Sequence, residues 1–291
     1  MNIYSKDGNL YVEEVSDFDI EDILECGQCF HFTKLAEKEY ELLAFGRYLH
    51  IKQQDNNITF FDTSYDDYVD VWRSYFDMDK DYGIIKKHIV TADARLEHIV
   101  ADKSGIRILK QDFFETLISF IISQNKQIPH IKQIVHTISE RFGQGIKHSD
   151  GRIYYAFPDV HMLSKVSEDE LRQCKVGFRA PYIMDAVAKV NSGEISEEML
   201  RHMTYSQAKE KLLTIKGVGE KVANCVLLFG LGFTNAFPVD VWMKRIMEYM
   251  YFEQDTKKDV IETFAYDKFG DYSGYAQQYL FCYGREKGLG K

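Results

Sequence analysis

The apolar residues of this 291-residue chain follow one period up to about residue 63 and another from about residue 65 onward, a switch that limits it to folds joining a sheet to a body of helices. The first part holds short β-branched and aromatic runs at 9–15, 29–33, 40–51 and 58–62, separated by turn signals such as Asp7-Gly8 and Asp55-Asn56-Asn57. Alternation of this kind predicts a small antiparallel sheet. After Tyr65 the spacing becomes helical. Asp112 followed by Glu115 is a capping-box-like start for a helix that buries Phe114, Leu117, Ile118, Ile121 and Ile122. The chain therefore reads as α+β, with an N-terminal antiparallel β domain over 1–93 and a mostly α-helical domain over 94–291.

A net charge of −9 opposes contact with polyanions, but the charge is unevenly spread. Residues 1–99 carry 10 Lys+Arg against 21 Asp+Glu, and the remainder 26 against 24, so only the second part is suited to facing phosphates. The longest apolar run, 222–233, is too short to cross a bilayer, and the first residues are acidic where a signal peptide is basic and then apolar. The expectation is an intracellular protein with no membrane association, cytoplasmic or nucleoid-bound if prokaryotic. Among five cysteines, Cys174, Cys225 and Cys282 are too isolated to complete a four-cysteine cluster with Cys26 and Cys29. A lone CxxC is half a metal site, so packed thiols are expected, and neither metal nor cofactor.

The most informative segment, 212–243, sets Gly217-Val218-Gly219 between two apolar-periodic helices. Such a helix-hairpin-helix can bring backbone N–H groups and a helix N-terminus against a DNA phosphate. A glycine turn in an ordinary pair of packed helices has the same appearance. Lys221 then opens the second helix, and Asp240 follows in Pro238-Val239-Asp240-Val241. A lysine here suits either a solvated phosphate contact or a nucleophilic amine at the positive end of a helix dipole, where the ammonium is disfavoured. Asp240 has the signature of a helix N-cap. Cys225 lies four residues after Lys221, and Phe281 four after Gln277, so each pair shares one helix face.

Together these motifs resemble the helix-hairpin-helix glycosylase superfamily and, within it, the 8-oxoguanine DNA glycosylase family, which also carries a β domain ahead of its helices. The resemblance covers most of the chain. It implies a bifunctional DNA glycosylase/AP lyase, working as a monomer on duplex DNA that contains an oxidised purine. Lys221 would form a Schiff base with the sugar, and Asp240 would stabilise the oxocarbenium-like transition state. The flipped base would lie between Cys225 and Phe281, with Gln277 reading its edge and the Gly27 carbonyl accepting from N7–H, a proton that guanine lacks. Gly217 and Gly219 would meet a phosphate, Asn125 would fill the vacated space, and Phe178 and Arg179 would face the orphaned partner base. His130 stands where the eukaryotic members place a second arginine, which implies relaxed preference for the opposite base. Trp242 replaces a family histidine that touches the DNA backbone. The alternative is an alkylpurine glycosylase of the same fold, which usually lacks a lysine after the hairpin. The adenine- and pyrimidine-directed branch typically ends in four cysteines, whereas only Cys282 follows Asp240 here. A non-catalytic hairpin module would not need Lys221, Asp240, Gln277 and Phe281 together.

Overall fold

The computed structural model describes residues 1–289, so the last two positions of the 94–291 segment lie outside the described residues. Six antiparallel strands form one sheet in the order β1-β2-β6-β5-β4-β3, with β1 Asn2–Lys6, β2 Asn9–Glu13, β3 Phe32–Ala36, β4 Glu39–Ala44, β5 Arg47–Gln54 and β6 Asn57–Phe61. The apolar run at 40–51 is two strands, because Phe45 and Gly46 both take left-handed backbone (φ 51° and 70°) and turn the chain. The run at 29–33 becomes a strand only at Phe32. Strand β1 is mostly exposed and therefore carries no apolar alternation. A helix absent from the sequence reading, Ile20–Glu25, precedes the Gly27 loop, with Asp19 Oδ1 accepting from the backbone N–H groups of Glu21 and Asp22 at 3.0 and 3.1 Å.

One apolar core lies under the sheet and includes Leu10, Val12, Ile51, Phe60 and Trp72; a larger one fills the helical body. Along the chain they part between Met78 and Tyr82, except that Cys26 and Phe30 join the helical core and Leu109 the one under the sheet, and the helix Tyr82–Ala92 packs its buried Ile85 and Ile89 into the helical core. Buried Arg107 ties the two layers, donating to the carbonyls of Ser16, Asp17 and Asp77 at 3.1, 2.7 and 2.7 Å.

The helix Phe113–Ser123 runs through the centre and buries the five apolar residues that its spacing selects. Asp112 caps it, accepting from Glu115 N–H at 2.8 Å, while the Glu115 side chain turns to His31 at 3.4 Å rather than back to the cap. A two-stranded hairpin, Gly145–Lys147 with Ile153–Tyr155, interrupts the helices. No helix among the described residues is long and apolar enough to cross a membrane.

Candidate active site

The hairpin comprises the helix Tyr205–Leu213, a turn, and the helix Glu220–Cys225, which continues as a wider turn through Gly230. Gly217 is required in that turn: its φ is +78°, and a β-carbon would stand 2.2 Å from the ring of Tyr182. Gly219 begins the second helix, and no side chain caps it, so its first N–H groups are open to an anion.

Lys221 turns inward from this helix. Its Nζ donates to Ser123 Oγ at 3.1 Å and lies 4.9 Å from the centre of the Phe120 ring, so the central helix supplies both its polar and its flat neighbour. Phe120 in turn stacks on Phe229 and meets Phe30 edge-on. Asp240 Oδ1 accepts from Met243 N–H at 2.7 Å, capping the helix Val241–Met247 as its sequence context predicts.

Two nested cavities meet at these groups. The outer cleft, of about 520 Å³, is walled by Gly27, Phe120, Lys221, Asp240, Trp242 and Phe281 among others. The inner slot, of about 50 Å³, shares Gly27, Lys221, Asp240 and Phe281 and adds Cys225, Pro238 and Gln277. Burial raises the Cys225 thiol to about 11, against the opposing pull of the Lys221 ammonium, so it stays a neutral, polarisable wall. Gln277 is buried, and its Nε2 touches only Met243 sulfur at 3.8 Å. Its Oε1 is enclosed with no hydrogen-bond partner, which leaves it free to read a base edge.

Gly27 takes φ +83°, and a side chain there would point at Ile128 and Phe281, into the space a base would fill. Buried Gln28 fixes this loop: its amide donates to the carbonyls of Ile23 and Arg107 at 2.8 Å each and accepts from Leu109 N–H at 2.9 Å. Gln278 Nε2 donates to Cys26 sulfur at 2.8 Å. Cys26 and Cys29 are free buried thiols that join different cores.

Beside the slot, the segment 123–127 breaks the chain between two helices, and Asn125 stands exposed there with φ +50°. Phe178 is half exposed and His130 exposed, but Arg179 is 2% exposed. Its guanidinium stacks on Phe178 at 4.3 Å and donates to the carbonyls of Val176 and Gln124. Arg179, expected to face the orphaned partner base, thus holds the 123–127 segment through the Gln124 carbonyl. Ser123, Phe120, Gln28 and Arg285 were not singled out by sequence; each acts through contacts 79 or more residues away, which leave no local pattern.

The domain model "8-oxoguanine DNA glycosylase, N-terminal domain" matches residues 10–117, and that of the "HhH-GPD superfamily base excision DNA repair protein" matches residues 118–267. Fold and site thus define a helix-hairpin-helix base-excision repair protein. A Methanothermobacter thermautotrophicus protein described as "Probable N-glycosylase/DNA lyase" is 33% identical over 68% of this chain and 69% of its own length. Among solved structures, MBOgg1 in complex with a low-affinity DNA ligand superposes with a TM-score of 0.95 at 41% identity, covering 99% of both chains. The Clostridium acetobutylicum 8-oxoguanine glycosylase/lyase, bound to double-stranded DNA with cytosine opposite 8-oxoguanine, does so at 0.95 and 38%, again over 99% of both. The chain belongs to the 8-oxoguanine DNA glycosylase family.

Proposed function

We propose that the chain, an 8-oxoguanine DNA glycosylase with lyase activity, draws the damaged nucleotide of a duplex into the nested cavities and cuts it there with Lys221. Its setting would be the cell interior, acting as a monomer and without a cofactor. The observation that carries the proposal is convergence: Gly27 from the N-terminal region, Lys221 and Cys225 from the hairpin, Asp240, and Gln277 and Phe281 from the last helix all line one slot.

In this mechanism the base enters between Cys225 and Phe281, its N7–H meets the Gly27 carbonyl, and its Watson-Crick edge meets Gln277. Lys221 gives up its ammonium proton and bonds to C1′ through the freed amine as the C1′–N9 bond breaks; the electron pair of that bond leaves with the base, which takes up a proton. Asp240 stabilises the positive charge that develops on the sugar. Opening of the sugar ring gives the imine, and loss of a C2′ proton then expels the 3′ phosphate, nicking the strand. Gly217 and Gly219 hold a phosphate, Asn125 fills the space left by the extruded base, and Phe178 and Arg179 face its orphaned partner. Incubating the protein with duplexes that carry 8-oxoguanine, 3-methyladenine or thymine glycol tests the reading: release of 8-oxoguanine is expected, and release of 3-methyladenine alone overturns it.

Removing the stacking wall should be visible in affinity. Phe281→Ala is expected to lose about 1 to 3 kcal/mol of base stacking, roughly 5- to 150-fold in Kd for lesion DNA by titration. Unchanged binding would place the base elsewhere.

His130 sits exposed on the first turn of the helix Ile128–Phe142, where an imidazole cannot present a guanidinium fork. Arg179 is held by the Gln124 carbonyl and must let go before it can serve the partner base. The preference for cytosine over adenine, guanine or thymine opposite 8-oxoguanine, read from base-release rates on the four duplexes, should therefore be weaker than in a two-arginine enzyme by roughly tenfold or more, the loss of one charge-assisted partner. A strict requirement for cytosine would show that another group supplies the missing contact.

A further inference from the structure

Arg285 lies four residues after Phe281, on the same face of the helix Ser273–Lys287, and borders the outer cleft. Its Nη2 donates to the Glu25 carbonyl, two residues before Gly27, and its guanidinium stands 5.8 Å from the centre of the Phe281 ring. Its Nη1 is enclosed by protein and has no hydrogen-bond partner. That same nitrogen lies 3.6 Å from the point where a β-carbon on Gly27 would stand, beside Phe281 Cε1 at the same distance. A charged donor left without an acceptor is costly in a folded protein and marks a place where a ligand atom completes the bond.

The chemistry of the ligand follows from that position. A purine that offers N7–H to the Gly27 carbonyl presents the atom bonded next to N7, carbon 8, on the same side. In 8-oxoguanine that carbon bears a carbonyl oxygen; in guanine it bears a hydrogen. Resting on the lesion slot argued above, we infer that Arg285 Nη1 donates to O8 of the extruded base. Arg285 and the Gly27 carbonyl then form a donor-acceptor pair that reads both atoms by which the lesion differs from guanine. The contact also strengthens along the reaction. As the C1′–N9 bond breaks, the base takes the electron pair and spreads negative charge onto its carbonyl oxygens, where a guanidinium stabilises it. Undamaged guanine would leave both the Gly27 carbonyl and Arg285 Nη1 without a partner.

Single-turnover base release from an 8-oxoguanine duplex and nicking of a duplex with a preformed abasic site separate this role from others, since the abasic site has no base. Arg285→Gln is expected to slow base release about ten- to a hundredfold and abasic nicking by less than about threefold. Arg285→Lys, which keeps a cationic donor, should restore most of the loss, and both variants should unfold within a few degrees of the wild type. Base release in Arg285→Gln equal to wild type overturns the contact. A parallel loss of abasic-DNA nicking and affinity assigns Arg285 to a phosphate, and an equal loss in Arg285→Lys assigns it only to holding the Glu25 carbonyl; either overturns it. A wild-type protein that releases no 8-oxoguanine overturns the proposed function instead, before any variant is compared.

Discussion

Lys221→Gln is expected to abolish borohydride trapping of the protein on 8-oxoguanine DNA and to slow base release by about three orders of magnitude or more. Glutamine is close in length and can still hydrogen-bond to Ser123 Oγ, which lies 3.1 Å from the native amine, so the slot should keep its shape. It cannot form an imine. Binding of the lesion duplex should therefore survive while chemistry fails, a split that titration and single-turnover rates measure on the same preparation. The prediction is demanding because other lysines are near: Lys126 borders the same outer cleft. A trapped adduct formed by the Lys221→Gln protein at the wild-type rate would make another amine the nucleophile.

Asp240→Asn is expected to leave DNA affinity within about twofold and to slow the chemical step about a hundredfold or more. The reasoning turns on two duties of one carboxylate. Its cap bond to Met243 N–H, at 2.7 Å, survives in asparagine, which caps helices as well as aspartate does. Its charge does not survive, and a sugar that passes through an oxocarbenium-like state is then left without the anion beside it. Thermal unfolding near the wild-type temperature together with a large rate loss would separate charge from cap. An undiminished rate would reduce Asp240 to its structural duty.

What the sequence disclosed depended on how far apart in the chain the interacting groups lie. The pairs Lys221–Cys225 and Gln277–Phe281 are legible because helical spacing alone puts residues four apart on one face, and both pairs line the slot. Asp240 and Asp112 are legible as caps because capping is a contact across three residues. The turn at Phe45-Gly46 was not, since an apolar residue in left-handed backbone carries no turn signature and leaves 40–51 looking like one run. Gln28, Ser123 and Arg285 matter through partners 79, 98 and 260 residues distant. Arg179 illustrates the same limit from the other side. A charge in the Gly177-Phe178-Arg179 segment suggests solvent, yet the carbonyl of Gln124, 55 residues earlier, draws it under cover.

The last helix closes onto the beginning of the chain: Gln278, Cys282 and Arg285 all reach the backbone or sulfur of Glu25 and Cys26. During synthesis, the hairpin around Gly217 leaves the ribosome about sixty residues before Gln277 and Phe281 do. On the proposed reading, the segment that would meet a phosphate is therefore made before two walls of the lesion slot. If Gln277 and Phe281 wall the lesion slot as proposed, the reading of damage rests on a helix whose Tyr275, Ala276, Tyr279 and Leu280 also pack into the helical core, so that recognition and stability share one element.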